Sequence, residues 1–267
     1  MKKGILFFTA LLLSMASFAQ ANKDAAMHSF VNKLLAKMTL EEKLGQLNLP
    51  ASSDFVTGAV SSSDIAQKVK EGKVGGVFNI RSVTKIKELQ EYAVKNTRLH
   101  IPLLFGMDVI HGYKTIFPIP IGMSSTWDMP LIERSARIAA NEASSDGIMW
   151  TFSPMVDLTR DPRWGRTSEG NGEDAFLSSA IAKAMIHGYQ GDDLSLNNTI
   201  MSCVKQYALY GAAEGGRDYN TTDMSRVRMY NEYFPPYKAA VDAGVGSVMV
   251  SFNEIDGVPA SGNKWLV

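Results

Sequence analysis

The sequence predicts an α/β fold: a parallel sheet of the (β/α)8 TIM-type barrel kind, incomplete, with about five βα units present. Three observations predict it. Apolar runs at 74–80, 102–107, 148–155, 200–205 and 247–252 read as continuously buried strands, each separated from the next by a helix-like stretch, the pattern of a parallel sheet covered on both faces. No Gly-x-Gly-x-x-Gly turn follows the first run, which weighs against an open dinucleotide-binding sheet. Polar residues stand where the strands finish, with Asp108, Asp157, Lys205 and Asn253 closing successive runs, and groups converging on one rim are what a barrel site needs.

Each element has its own signal. Met1-Lys2-Lys3, a short apolar core at 5–13 and small residues at Ser17 and Ala19 form an export signal over residues 1–19, cut after Ala19. The chain is therefore expected to be periplasmic or secreted, with 20–267 forming one partial barrel domain. Met27, Phe30, Val31, Leu34, Leu35 and Met38 recur at helical spacing. Thr39-Leu-Glu-Glu42 is a capping box that opens a second helix. Residues 51–63, rich in Ser, Gly and Asp, read as loop. Helices are expected at 84–98, 130–145, 175–190 and 225–243, the last kinked or split by Pro235-Pro236. The end, from Ser261 to Val267, reads as the opening of another helix with no stop signal, so the chain is expected to be truncated, the C-terminal part of the same gene product being absent.

Composition excludes several partners. Lysine plus arginine and aspartate plus glutamate each number 27, so no net charge recruits nucleic acid or an anionic membrane. No segment is long and apolar enough to span a bilayer. Cys203 is the single cysteine, sits in an apolar run and reads as core rather than nucleophile. The sequons at Asn197 and Asn220 read as incidental in an exported bacterial-type product. No His/Cys/Asp cluster has ligand spacing, so neither metal nor cofactor is expected.

Chemistry concentrates between the third run and its helix. From Asp157 to Glu173 the chain holds four carboxylates, Arg160, Arg163, Arg166, Trp164 and three glycines in one loop at a strand end. The plain alternative is a surface loop laced with salt bridges.

These segments resemble glycoside hydrolase family 3, specifically the N-terminal barrel domain of its bacterial periplasmic β-glucosidases. The resemblance runs from about Met27 to Val267. It rests on Met38-Thr-Leu-Glu-Glu-Lys-Leu-Gly-Gln46, Gly106-Met-Asp108-Val-Ile-His111-Gly112, Phe117-Pro-Ile-Pro-Ile-Gly122, Ser153-Pro-Met-Val-Asp157, Asp161-Pro-Arg-Trp-Gly-Arg166, the stretch from Tyr210 to Asn220, and Phe234-Pro-Pro-Tyr237. The resemblance implies a β-glucosidase that releases terminal glucose from β-glucosides or oligosaccharides, with Asp108, Arg166, Lys205 and Gln206 gripping the sugar. A carboxylate such as Asp108 accepts from neighbouring hydroxyls, while Arg166 and Lys205 donate. Trp164, Trp150 or Tyr207 would offer an apolar face for the C–H side of the ring, ordinary core packing being the plainer reading of Trp150. Two positions depart from the family: Gln206 stands where histidine is usual, and Phe252 where some relatives place tyrosine. Glutamine keeps a hydrogen bond but carries no titratable proton near neutral pH.

By the same resemblance the reaction is of the retaining type, with a carboxylate nucleophile and a carboxylic acid/base. The nucleophile, an aspartate in a Ser-Asp motif, and the acid/base, a glutamate on a second domain, are expected beyond Val267, so no catalytic residue is assigned in this chain. Ser53-Asp54 and Ser63-Asp64 mimic the motif but precede the first barrel strand. His111 is read as a loop-orienting partner rather than a base. A related N-acetylglucosaminidase branch uses a histidine in the loop after the fourth strand, and loop 210–220 has none. The alternative function is a non-catalytic, glycan-binding relic of the same fold.

Overall fold

The computed structural model describes residues 24–52 and 64–267. The export signal at 1–19, the Ser53-Asp54 pair and Ser63 lie outside these residues. Helix α1 (24–37) is followed by α2 (Leu40–Gln46), where the capping box forms as expected: Thr39 Oγ1 accepts from Glu42 N, and the Glu42 carboxylate accepts from Thr39 N. A short α3 (Ile65–Lys70) was not foreseen. Then come β1 (Gly76–Phe78), α4 (Val83–Asn96), β2 (Leu104–Met107), α5 (Pro120–Ser124), α6 (Met129–Ser145), β3 (Trp150–Thr151), α7 (Ala175–Gln190) and β4 (Met201–Tyr207). The chain continues through β5 (Thr221–Thr222), α8 (Arg226–Arg228), α9 (Pro235–Asp242), β6 (Ser247–Val250), β7 (Glu254–Ile255) and β8 (Val258–Pro259).

The main sheet has the order β1-β2-β3-β4-β6, with every neighbouring pair parallel. This order never reverses. Crossovers of one hand then place all the helices on one side of the sheet, and the other side faces inward, which is barrel layout rather than the doubly wound alternative. The result is a curled half-barrel. Its first edge is extended by residues once assigned to loop: Ser52 N donates to Phe78 O at 2.9 Å and Phe78 N to Pro50 O at 3.1 Å.

Caps fix where the helices start. Asp128 accepts from Leu131 N (3.0 Å) to open α6, and Asp174 from Leu177 N (2.6 Å) to open α7. Helices α6 and α7 meet over the small residues Ala136, Ala139, Ala140 and Ala143, all buried. One core joins β1–β3 to α4, α6 and α7; a second joins β4 to α9 through Val204, Tyr233, Tyr237 and Ala240.

Two expectations need correction. The regular ladder of β3 covers only residues 150–151 of the expected 148–155, and Pro154 beyond it has no N–H to give. Pairing resumes beyond it, with Val156 N donating to Lys205 O. The helical run 225–243 is split as expected, but by a π turn over Met229–Tyr233, in which Phe234 N reaches back to Met229 O. The last residues make one helix-like turn, as expected of a helix opening: Asn263 Oδ1 accepts from Trp265 N and Leu266 N, and Val267 N donates to Asn263 O at 3.0 Å. Among the described residues no helix is long and apolar enough to cross a membrane.

Candidate functional site

Asp108, Lys205 and Arg166 come from three different segments, and one further carboxylate joins them. Lys205, near the end of β4, extends its ammonium to Asp108 Oδ1 at 2.9 Å and to Glu169 Oε2 at 3.3 Å. Glu169 takes Arg166 in a bidentate pair, Nε to Oε1 at 2.6 Å and Nη2 to Oε2 at 2.8 Å. Gln206 accepts from Arg166 on its other edge, its Oε1 lying 2.6 Å from Nη1 and 3.1 Å from Nη2. The chain of contacts Asp108–Lys205–Glu169–Arg166–Gln206 lies at the C-terminal ends of β2 and β4 and in the loop after β3. Two carboxylates balance two cations, and Gln206 adds no charge.

The backbone beneath is held by groups that the sequence reading had placed on the rim itself. Asp157 is buried, 2 % exposed. It accepts from Gln206 N at 2.8 Å and Tyr210 N at 3.1 Å, and the Tyr237 hydroxyl lies 3.0 Å away. Burial raises its carboxyl from 3.8 to about 6, against the hydrogen bonds that favour the ionised form. Asn253 is likewise buried, donating to Ala208 O at 3.3 Å and Thr222 Oγ1 at 3.4 Å. Both support the rim from below, because a strand-end polar residue that meets turning backbone is consumed by it.

Glu169 was missed as a site residue. Its signal was its i,i+3 spacing from Arg166 inside the charge-dense loop, which the sequence alone did not separate from the other pairs. Those others are of the plain kind: Arg163 grips Asp161 on the surface, holding its carboxyl down at about 2, and Arg160 pairs with Glu232. For Glu169, burial by itself raises the carboxyl, but the Arg166 hydrogen bonds and the Lys205 charge outweigh it and hold it below the ordinary glutamate range. On Arg166, burial works against the charge and the Glu169 pairing more than restores it.

The aromatic assignments sort clearly. Trp164 is 2 % exposed, its Nε1 donating to Asp218 Oδ1 at 2.9 Å and its ring edge-on to Tyr210, so it braces the loop and presents no face to a ligand. Tyr207 packs between Phe234 and Tyr237 in the second core. Trp150 donates to Ser247 Oγ at 2.8 Å and packs on Phe152, as its core reading expected. Phe252 keeps an open face, 51 % exposed, beside Tyr219 at 5.3 Å and Tyr210 at 5.7 Å. Tyr210 in turn lies under the Arg166 guanidinium at 5.6 Å, which makes the aromatic group continuous with the charged network. His111 Nδ1 lies 2.9 Å from Phe117 O, a contact that orients the loop after β2. Among the described residues no group of three or more His, Cys, Asp or Glu is placed to hold a metal.

A half-barrel of parallel strands with a carboxylate–cation network on its C-terminal rim is the kind of site a (β/α) barrel builds, and the chain belongs to glycoside hydrolase family 3. The model described as "Glycosyl hydrolase family 3 N terminal domain" matches residues 39–267. The chain is 44% identical over 243 residues to the periplasmic beta-glucosidase of Salmonella typhimurium, covering 91% of this chain and 31% of that protein. It is 32% identical to a beta-xylosidase of Formosa agariphila, covering 85% of this chain and 34% of the relative. Among solved structures it superposes on the beta-glucosidase of Listeria innocua in complex with isofagomine, with TM-score 0.82 and 44% identity, covering 89% of this chain and 34% of that one. The same enzyme in complex with glucose gives a TM-score of 0.80 at 43% identity. The chain spans about a third of the length of the relatives it matches.

Proposed function

We propose that this chain is the sugar-holding part of an exported β-glucosidase, a retaining glycoside hydrolase that releases terminal glucose from β-glucosides or oligosaccharides. The observation that carries the reading is the continuous Asp108–Lys205–Glu169–Arg166–Gln206 network at the C-terminal rim. In this reading Asp108 accepts from two neighbouring hydroxyls of one glucose ring, and Lys205 and Arg166 donate through the hydrogens their partners leave unused. Phe252 offers the apolar surface assigned at first to Trp164. The nucleophilic aspartate and the acid/base glutamate are supplied by residues outside this sequence, which the chain's coverage of about a third of its relatives supports. Export to the periplasm agrees with residues 1–19 and with the periplasmic relative.

Glucose is preferred to xylose as the held sugar because the periplasmic beta-glucosidase of Salmonella typhimurium stands at 44% identity and the beta-xylosidase of Formosa agariphila at 32%. Gln206 gives the glycan-binding alternative its support, since a neutral amide holds a sugar without a titrating proton. Two measurements on the 267-residue chain test the proposal. Calorimetry is expected to show glucose binding, weakened by Asp108→Asn. Hydrolysis of an aryl β-glucoside is expected to stay at the level of a denatured control. Turnover well above that control would overturn the division of labour, and indifference of glucose binding to Asp108→Asn would overturn the site. Activity in the full-length gene product separates the hydrolase from the binding relic.

A further inference from the structure

Lys205 is the most enclosed cation of the network, its side chain 3% exposed. A buried ammonium is costly unless it is paired, so its partners decide whether the site stands. There are two, and they differ. Asp108 is the more open, at 36%, and Glu169 the more enclosed, at 24%. With Asp108 as sole counter-ion, its carboxylate would be committed to Lys205 and poorly free for a ligand. Glu169 removes that conflict, and its other contacts lock the Arg166 fork along the Nε–Nη2 edge while Gln206 holds the opposite edge.

We infer that Glu169 is a positioning residue of the sugar site: by neutralising Lys205 and clamping Arg166, it leaves the Asp108 carboxylate free to accept from the sugar's hydroxyls. The inference rests on the proposed sugar-holding role of the network. The Glu169 pairing is in turn pH-dependent. Because its carboxyl titrates below the ordinary glutamate range, the pairing is intact above that range and is lost as pH falls through the lowered value.

The test uses the whole chain, with glucose as the probe. Two readouts are taken, calorimetric affinity and the rate at which an amine-reactive ester labels Lys205 without sugar. Glu169→Gln is expected to weaken glucose binding about tenfold or more, as loss of one partner of an enclosed charge pair does. It is also expected to label Lys205 several-fold faster, and Glu169→Asp, which restores the charge, to return labelling toward the wild-type rate. A Glu169→Gln protein with wild-type glucose affinity and wild-type Lys205 labelling overturns the inference. Should that variant not fold, the carbon resonance of the wild-type Glu169 carboxyl decides: titration below the exposed glutamates supports it, and titration among them overturns it. If the wild-type chain binds no glucose, the proposed function falls, and the labelling comparison still decides whether Glu169 holds Lys205.

Discussion

At Asp157 a count of protons predicts the charge state. The Tyr237 hydroxyl lies 2.6 Å from the Gln206 carbonyl and 3.0 Å from Asp157 Oδ1, and one phenolic hydrogen cannot serve two acceptors. The shorter contact takes it, so the longer one is a hydrogen bond when Asp157 carries a proton of its own. That agrees with a carboxyl raised by burial to about 6. The folded state then binds more protons than the unfolded chain between 3.8 and about 6, and stability falls as pH rises through that window. The difference corresponds to roughly 3 kcal/mol at most. Denaturant unfolding from pH 4 to pH 7 is expected to show this decline in the wild type and to lose it in Asp157→Asn. That variant should also be about 1–3 kcal/mol less stable at its best, since its amide turns a donor toward backbone N–H. Equal pH slopes in the two proteins would count against a protonated Asp157.

The packing of α6 on α7 depends on Gly188. A Cβ there would lie 2.4 Å from the Glu133 carbonyl oxygen and 2.6 Å from the Ala136 Cβ, and the first of these is backbone that cannot swing aside. Gly188→Ala is expected to cost about 1–3 kcal/mol despite its gain in helix propensity, read as a lower thermal midpoint. A midpoint at or above the wild type would show that the helices slide apart cheaply. This contact was invisible in the sequence, whereas α7 itself was legible to its ends, because Asp174 and Gly191 bracket it and its apolar positions are regular. A break near Pro235-Pro236 was legible for the same local reason, but not the π turn over Met229–Tyr233 that makes it. What was not legible came from tertiary company. Trp164 in a loop has no periodicity to say whether it faces solvent or core. In the candidate site, it was the family resemblance that put Asp108, Arg166, Lys205 and Gln206 together, and Glu169 differed from Asp161 and Glu173 only by what lay opposite it.

For the whole molecule, the sheet order sets an asymmetry between its edges. The first edge is covered by residues 50–52, while among the described residues β6 pairs on one side only, with β4. On β6 itself Val248 is exposed, Phe252 just after it is exposed too, and Val227, Tyr230 and Val241 of the preceding helical segments are likewise exposed. Unpaired backbone flanked by branched apolar side chains is a template for another strand, and apolar ground of this extent is seldom left bare in a monomer. The 267-residue chain by itself is therefore expected to self-associate as its concentration rises from about 1 to 100 µM, and to bind a hydrophobic dye. Val248→Lys, which places a charge on the edge, should reduce both without disturbing the Lys205 network, because Val248 pairs with Val204, the neighbour of Lys205 that faces the opposite side of the sheet. Sedimentation velocity decides the matter. A single monomeric boundary across that range, unchanged by Val248→Lys, would mean that the half-barrel's open edge is already satisfied, and that the sugar-holding rim is built on a self-sufficient unit.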